Sequence, residues 1–435
     1  MNSRLAVVLG ALVVAASAVS QSVPVEVTRS EDGFQLLRGG EPYFVKGAGG
    51  RQYLELLAAS GANSIRTWGQ GDLEPREWPD GRTMSLLDRA HELGLTVTAG
   101  FWIPHFPGGY QGGGFDYDDE EAADQLVEDA REFARKWKDH PALLAWGVGN
   151  EPLGTDRERG LRLVNRVAKA MNEVDPDHPT VAVLAGIWPD KASLFAELCP
   201  DVDILGINVY GGAPVIPEQL LEQGYDGPYL MCEYGALGYW EVDHTPWGAE
   251  IEQASDAKAA FYRRSHLESI TAAPDRCLGG YVFLWGYKQE RTDTWFSMLM
   301  PGGERTPSAD AMIEIWTGEP PSNRAPVVSD IVSDLKLARV PADTLFDAAV
   351  VVTDHEDDPL TITWDIKPEG TDKGAGGAFE RTPESLAHLI QSSDGLNVVV
   401  RTPDSPGPYR LKVYVRDGQG GVGAWNVPFY VEARE

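Results

Sequence analysis

The sequence predicts an α/β chain in two parts, a closed (β/α)8 barrel followed by a small all-β sandwich. Three observations predict it. Apolar strand-like runs alternate with amphipathic helical segments from about residue 44 to residue 316. The apolar runs are near-continuous, as parallel strands covered on both faces should be. Beyond a proline-rich stretch the pattern changes to short β-branched segments separated by turn residues. A doubly wound open sheet would place a glycine-rich phosphate loop after its first strand. Gly47, Gly49 and Gly50 stand there without the G-x-G-x-x-G spacing, so the barrel is preferred.

Residues 1–20 read as a secretory signal. Arg4 and the amino terminus supply the positive start, residues 5–18 are apolar, and Ala18-Val19-Ser20 offers a cleavage site before Gln21. The run is short for a membrane span, which leaves an uncleaved anchor as the alternative. Residues 21–317 are assigned to the barrel, with a short β element over 23–38 that turns at Glu31-Asp32-Gly33. The strand–helix units then follow in order: 44–47 and 53–60, 62–68 and 84–93, 95–102 and 121–137, 143–150 and 159–174. The second half continues with 180–184 and 191–198, 203–210 and 217–223, 229–233 and 254–269, 278–285 and 309–316. The helix at 121–137 sets apolar or small residues at helical spacing among charges. Residues 318–326 are a proline-rich linker, stiff and poor in backbone donors. In residues 327–435 the strand-like runs are 349–353, 360–366, 398–401, 409–416 and 427–432. The stretch Gly407-Pro408-Tyr409-Arg410-Leu411-Lys412-Val413-Tyr414-Val415-Arg416-Asp417-Gly418 resembles the closing strand of immunoglobulin-like modules, so this part is expected to be an immunoglobulin-like sandwich.

Composition narrows the partners. A net charge of −29 repels nucleic acid and anionic membranes, so neither is expected as a partner beyond the signal segment. The three cysteines, Cys199, Cys232 and Cys277, are an odd number without a close pair and do not form a disulfide framework. His91, His140 and His178 lack metal-ligand spacing, so no catalytic metal and no cofactor is expected. The acidic turn Asp354-His355-Glu356-Asp357-Asp358, with Asp417, reads as a solvated turn, with a Ca²⁺ site as the alternative. The oligomeric state is left open.

The active site of a parallel barrel gathers at the carboxyl ends of its strands. The polar and aromatic residues at those ends are Arg66, Trp68, Trp102, His105, Asn150, Glu151, Asn208, Tyr210, Glu233 and Trp285. Two of them are glutamates that end apolar strands. Hydrolysis of a sugar–sugar bond needs such a pair, one acid to protonate the leaving oxygen and one carboxylate across the anomeric carbon. Glu151 is assigned as acid/base and Glu233 as nucleophile, with Arg66 as the cation and Tyr210 as the hydroxyl beside Glu233. Asn150 is expected on the sugar 2-hydroxyl, and Trp68, Trp102 and Trp285 on sugar faces. His105 and Asn208 complete the expected substrate-binding set, and Glu241 and Trp247 are candidates for outer subsites.

Trp146-Gly147-Val148-Gly149-Asn150-Glu151 is similar to the acid/base motif of glycoside hydrolase family 2, and Asn150-Glu151-Pro152 matches family 5. Residues 44–47 and 61–66 resemble the opening of the β-1,3-glucanosyltransferases. Together these resemble the large clan of retaining (β/α)8 glycoside hydrolases. The resemblance implies that Arg66, Tyr210 and Trp285 support the nucleophile and the substrate. The expected activity is that of a secreted retaining β-glycoside hydrolase with an oligo- or polysaccharide substrate of glucan type. The alternatives are a β-glucanosyltransferase with the same residues and a non-catalytic carbohydrate-binding barrel.

Overall fold

In the computed structural model, which describes residues 22–105, 114–153, 157–374 and 376–433, the apolar runs close on themselves. The secretory signal read over residues 1–20 lies outside the described residues. An antiparallel sheet comes first, of β1 (Val25–Ser30), β2 (Gly33–Arg38) and β3 (Glu41–Tyr43). The barrel strands are β4 (Val45–Gly49), β5 (Ser64–Arg66), β8 (Thr96–Phe101), β9 (Leu143–Asn150), β10 (Thr180–Ala185), β11 (Ile204–Asn208), β12 (Tyr229–Tyr234) and β13 (Cys277–Val282). A small hairpin, β6 (Arg76–Glu77) with β7 (Thr83–Met84), is inserted after β5. Neighbouring barrel strands pair in parallel all the way round, β13 closing onto β4.

The connecting helices are α1 (Leu54–Ala59), α2 (Leu86–Glu92), α3 (Glu120–Trp137), α4 (Arg157–Val174), α5 (Lys191–Leu198), α6 (Ile216–Glu222), α7 (Ser255–His266) and α8 (Pro307–Thr317). Helix α3 shows why they sit outside. Ala123, Leu126, Ala130, Phe133 and Ala134 fall on one stripe and are buried, while the charged residues face out. Asp119 caps its start by accepting from the Ala122 amide.

Inside the barrel, Tyr281 spans the strands, its hydroxyl 3.0 Å from Ser64 Oγ and 2.6 Å from Thr98 Oγ1. Its ring lies where a side chain on residue 47 would project, so Gly47 is required there. The first sheet covers the barrel end away from the carboxyl ends of the strands. Phe34 N donates to Asp275 O and Val25 N to Asp177 O, both residues that precede barrel strands. Trp146 faces the helical layer, fully buried, with its indole N–H on Asp175. The three cysteines are free and buried.

Two four-stranded sheets follow the barrel. One runs β14 (Val327–Ser333), β16 (Leu345–Thr353), β19 (Asn397–Arg401), β18 (Ile390–Ser393). The other runs β15 (Arg339–Pro341), β21 (Val422–Glu432), β20 (Gly407–Arg416), β17 (Thr361–Pro368). Their inner faces share one core that includes Val350, Trp364, Leu411, Val413 and Phe429, which makes them a sandwich. Asp354 and Asp358, read as part of a solvated turn, are partly buried here and gather with buried Asp417, with ligand oxygens within 4.8 Å of one another.

Polar contacts join sandwich and barrel. Glu252, on the barrel side, accepts from Thr292, Thr294, Lys258 and Asn426 while almost wholly buried. Asp293 accepts from Tyr414 at 2.6 Å and is paired with Lys412 and Lys367 of the sandwich. Burial alone would raise the Asp293 carboxyl, but Lys412 and Lys367 outweigh it and hold it well below the usual carboxylate range. Such a depressed group stabilises the fold above the unfolded value of about 4, and that stability is lost as pH falls through the folded value. Removing one member of a buried ion pair leaves the other uncompensated. Asp293→Ala is therefore expected to destabilise the protein by about 3–5 kcal/mol at pH 7 and to detach sandwich unfolding from barrel unfolding. Scanning calorimetry of the variant would show two separated transitions where the parent shows one.

Candidate active site

The carboxyl ends of β5, β9, β11 and β12 bring Arg66, Asn150, Asn208 and Glu233 to one mouth. Beside them opens a cavity of about 790 Å³ whose wall includes Trp68, Trp102, Asn150, Glu151, Asn208, Tyr210 and Glu233. Its size suits a small-molecule ligand rather than a macromolecular face.

Glu233 is held by three donors. Arg66 Nη1 reaches Oε1 at 2.9 Å, Trp68 Nε1 reaches the same oxygen at 2.8 Å, and the Tyr210 hydroxyl donates to Oε2 at 3.0 Å. Burial, and then the charge of Glu233, pushes the Tyr210 hydroxyl well above its ordinary value, so it keeps its proton. Arg66 is only 1% exposed and lies behind Glu233 rather than against the cavity. Its Nη2 donates to Asn150 Oδ1 at 2.6 Å, and Asn208 Nδ2 lies 3.1 Å from that same oxygen. With two donors on its oxygen, the Asn150 amide is fixed in orientation.

Glu151 stands one residue beyond the end of β9. Its backbone has φ +55°, a left-handed conformation that a non-glycine residue adopts at a cost of about 1–3 kcal/mol. Gly149, at φ +71°, turns the chain just before it, and the Glu151 amide is tied to Val183 O at 2.9 Å. Asn208 Nδ2 also donates to Glu151 Oε1 at 2.7 Å. Desolvation in the cavity, and next the charge of Glu233, push the Glu151 carboxyl up to about 7. Two carboxylic acids thus share one cavity in different surroundings, one gripped by donors and a buried cation, the other poised to carry a proton at neutral pH.

Residues 51–240 match the family model described as glycosyl hydrolases family 2, TIM barrel domain. The family 2 match spans Arg66, Asn150, Glu151, Asn208, Tyr210 and Glu233. A β-glucuronidase of Felis catus is 31% identical over 123 residues, which are 25% of this chain and 18% of that protein. Among solved structures, the Ruminococcus gnavus β-glucuronidase superposes with a TM-score of 0.50 at 14% identity, over 68% of this chain and 53% of its own. The Bacteroides uniformis β-glucuronidase gives 0.48 at 15%, over 94% of this chain and 48% of its own. The chain spans about half the length of these solved structures, and the Ruminococcus gnavus likeness bears on the fold alone.

Three sequence expectations change. Trp285 is not on the cavity wall. It is 1% exposed, donates to Tyr53 O and packs against Trp316, because β13 ends at Val282 and Phe283 and Leu284 take the wall positions. His105 is buried, its Nε2 within 2.9 Å of Asn150 O, so it braces the backbone of the motif instead of facing the cavity. Trp247 packs against Tyr430 of the sandwich. Glu241 does line the cavity, with the amides of Gly211 and Gly238 on its carboxylate.

Sequence reasoning missed Tyr239, Trp240, Phe283, Lys288, Glu290 and Phe296 on the wall. The aromatic density of Tyr239-Trp240 in the loop after the seventh barrel strand was the available signal. It also missed Gly376 and Gly377, which come from the sandwich. Glu233→Gln should lower the Glu151 pKa, because it removes the negative charge that resists ionisation. Asn208→Ala should raise it, because the ionised form loses a donor. Carboxyl-carbon NMR titration of Glu151 checks both signs.

Proposed function

We propose that the chain is a retaining β-glycoside hydrolase in which Glu151 is the acid/base and Glu233 the nucleophile. The observation that carries this reading is the contrast between the two acids on one cavity, Glu151 pushed up to about 7 and Glu233 held by Arg66, Trp68 and Tyr210. The family 2 match supports it. Glu151 protonates the glycosidic oxygen while a Glu233 oxygen bonds to the anomeric carbon, and the leaving group departs with the Glu151 proton. Glu151, now ionised, takes a proton from water, whose oxygen displaces Glu233 and restores the starting anomer. Asn150, its oxygen fixed by Arg66 and Asn208, directs its Nδ2 to the 2-hydroxyl, a contact that tightens in the transition state. Trp68 and Trp102 supply apolar faces for the sugar ring. Residues 1–20 would direct the chain to secretion.

For the substrate we propose a neutral, glucan-type β-linked sugar. Among the described residues, the cavity wall carries Glu151, Glu233, Glu241 and Glu290 against the single ammonium of Lys288, which is already paired with Glu290. A uronic acid would find no unpaired cation among the described wall residues. The second reading is a β-glucuronide, favoured by the names of the Felis catus and Ruminococcus gnavus relatives and by the presence of Lys288.

A panel of 4-nitrophenyl β-glycosides should show turnover with the glucoside above the galactoside and glucuronide. Preference for the glucuronide would overturn the neutral-sugar assignment. Glu233→Ala should abolish turnover, with azide restoring it as the α-glycosyl azide; the β-anomer would overturn Glu233 as the nucleophile, because azide would then have displaced a different carboxylate from a glycosyl-enzyme. Glu151→Ala should lose about 10²–10⁴-fold on unactivated oligosaccharides and far less on aryl glycosides with good leaving groups. The basic limb of parental kcat/KM should fall near pH 7, because Glu151 must be protonated to act as the acid.

A further inference from the structure

The catalytic cavity is not made by the barrel alone. Gly376 and Gly377 line it, and they belong to the segment between β17 and β18 of the sandwich. Gly377 lies against the barrel residue Lys288, since a Cβ there would sit 3.6 Å from the Lys288 ammonium. Two domains therefore meet at the wall of one binding site.

The contact is built around Arg291. Its backbone amide and its Nη1 both donate to the Glu380 carboxylate, each at 2.6 Å, and Nη1 also reaches Gly374 O at 3.0 Å. Glu380 is 5% exposed, so this is a desolvated, charge-assisted clamp rather than a surface pair. The Arg291 guanidinium also lies 3.9 Å over the ring of Tyr239, a cation–π contact. Tyr239 meets Trp240 edge-on at 4.7 Å, and Trp240 meets Tyr210 at 5.4 Å. One side chain thus holds the sandwich segment and the aromatic wall together, and that wall ends on the tyrosine bound to Glu233.

Two large rings are exposed, one on the cavity wall and one close in sequence to the sandwich glycines that line it. Trp240, on the wall, is 54% exposed, and Phe379, two residues past Gly377, is 84% exposed. Large apolar rings left open to solvent are suited to stack on pyranose faces. A single sugar ring is smaller than the cavity of about 790 Å³.

We propose that the C-terminal sandwich completes the substrate cleft: its segment 376–380, clamped by Arg291 and Glu380, forms a subsite for a sugar unit beyond the ring that Glu233 attacks, with Phe379 as a stacking face. Arg291 is then a positioning residue, and the sandwich sets preference for chain length. This rests on the hydrolase reading and adds to it the substrate class, a β-linked oligosaccharide of several units.

The test uses the full chain. Parent, Phe379→Ala and Glu380→Gln are compared on 4-nitrophenyl β-glucoside, cellopentaose and laminaripentaose. The ratio of kcat/KM on the better pentasaccharide to that on the aryl glucoside should fall roughly tenfold in each variant, with the loss in KM on the pentasaccharide. Phe379→Ala removes an exposed ring and keeps the fold, which a thermal melt verifies. An unchanged ratio, or an equal loss on both substrates, overturns the proposal. If the parent turns over none of the substrates, the glucan-type substrate assignment has failed instead. The subsite is then decided by tryptophan-fluorescence titration with the same pentasaccharides, where Phe379→Ala must weaken binding roughly tenfold and equal affinity refutes it.

Discussion

One buried guanidinium organises the mouth of this barrel. Arg66 sits on the second barrel strand with almost no exposure, and a charge so placed loses several kcal/mol of hydration. That loss is offset only if good acceptors surround it. Glu233, the Asn150 side chain and the Cys232 carbonyl are those acceptors, drawn from strands four and seven. The need to solvate one cation thus fixes a nucleophile-like carboxylate, an amide and the backbone before that carboxylate in one relative geometry. Asn208 extends the network from Asn150 to Glu151, so both acids are tied to the same charge through hydrogen bonds.

The barrel could be read from the sequence because most of its strands, β9 and β10 among them, are near-continuous apolar runs, and the long helices α3 and α4 are amphipathic. Helix α5 (Lys191–Leu198) and strand β9 (Leu143–Asn150) fall where the periodicity puts them. The sandwich was less legible. Strand β21 starts at Val422, five residues before the expected 427, because Gly423 and Ala424 carry weak strand preference and take their pairing from β20. Strands β15 and β18 are short and partly polar, and only their neighbours define them.

The site divides in the same way. Asn150, Glu151 and Glu233 end strands or follow them directly, so their positions follow from the strand pattern. Trp285 shows the limit. Its place in the chain was close to right, but the direction of its side chain depends on how the backbone leaves β13, and it turned into the helical layer. Lys288, Glu290, Tyr239 and Trp240 lie on long loops, and Gly376 and Gly377 are more than 140 residues after Glu233. No local periodicity carries contacts of that kind, because they are created by the docking of one domain on another.

The three thiols have a consequence of a different kind. Burial pushes Cys199 and Cys277 up to about 12 and Cys232 to about 11, so at neutral pH almost none is in the nucleophilic thiolate form. None is bridged, and no covalent crosslink through them holds the architecture. Its integrity rests on packing and ion pairs, which glutathione and dissolved oxygen leave untouched, so the same native state is open to the chain in reducing and oxidising surroundings alike.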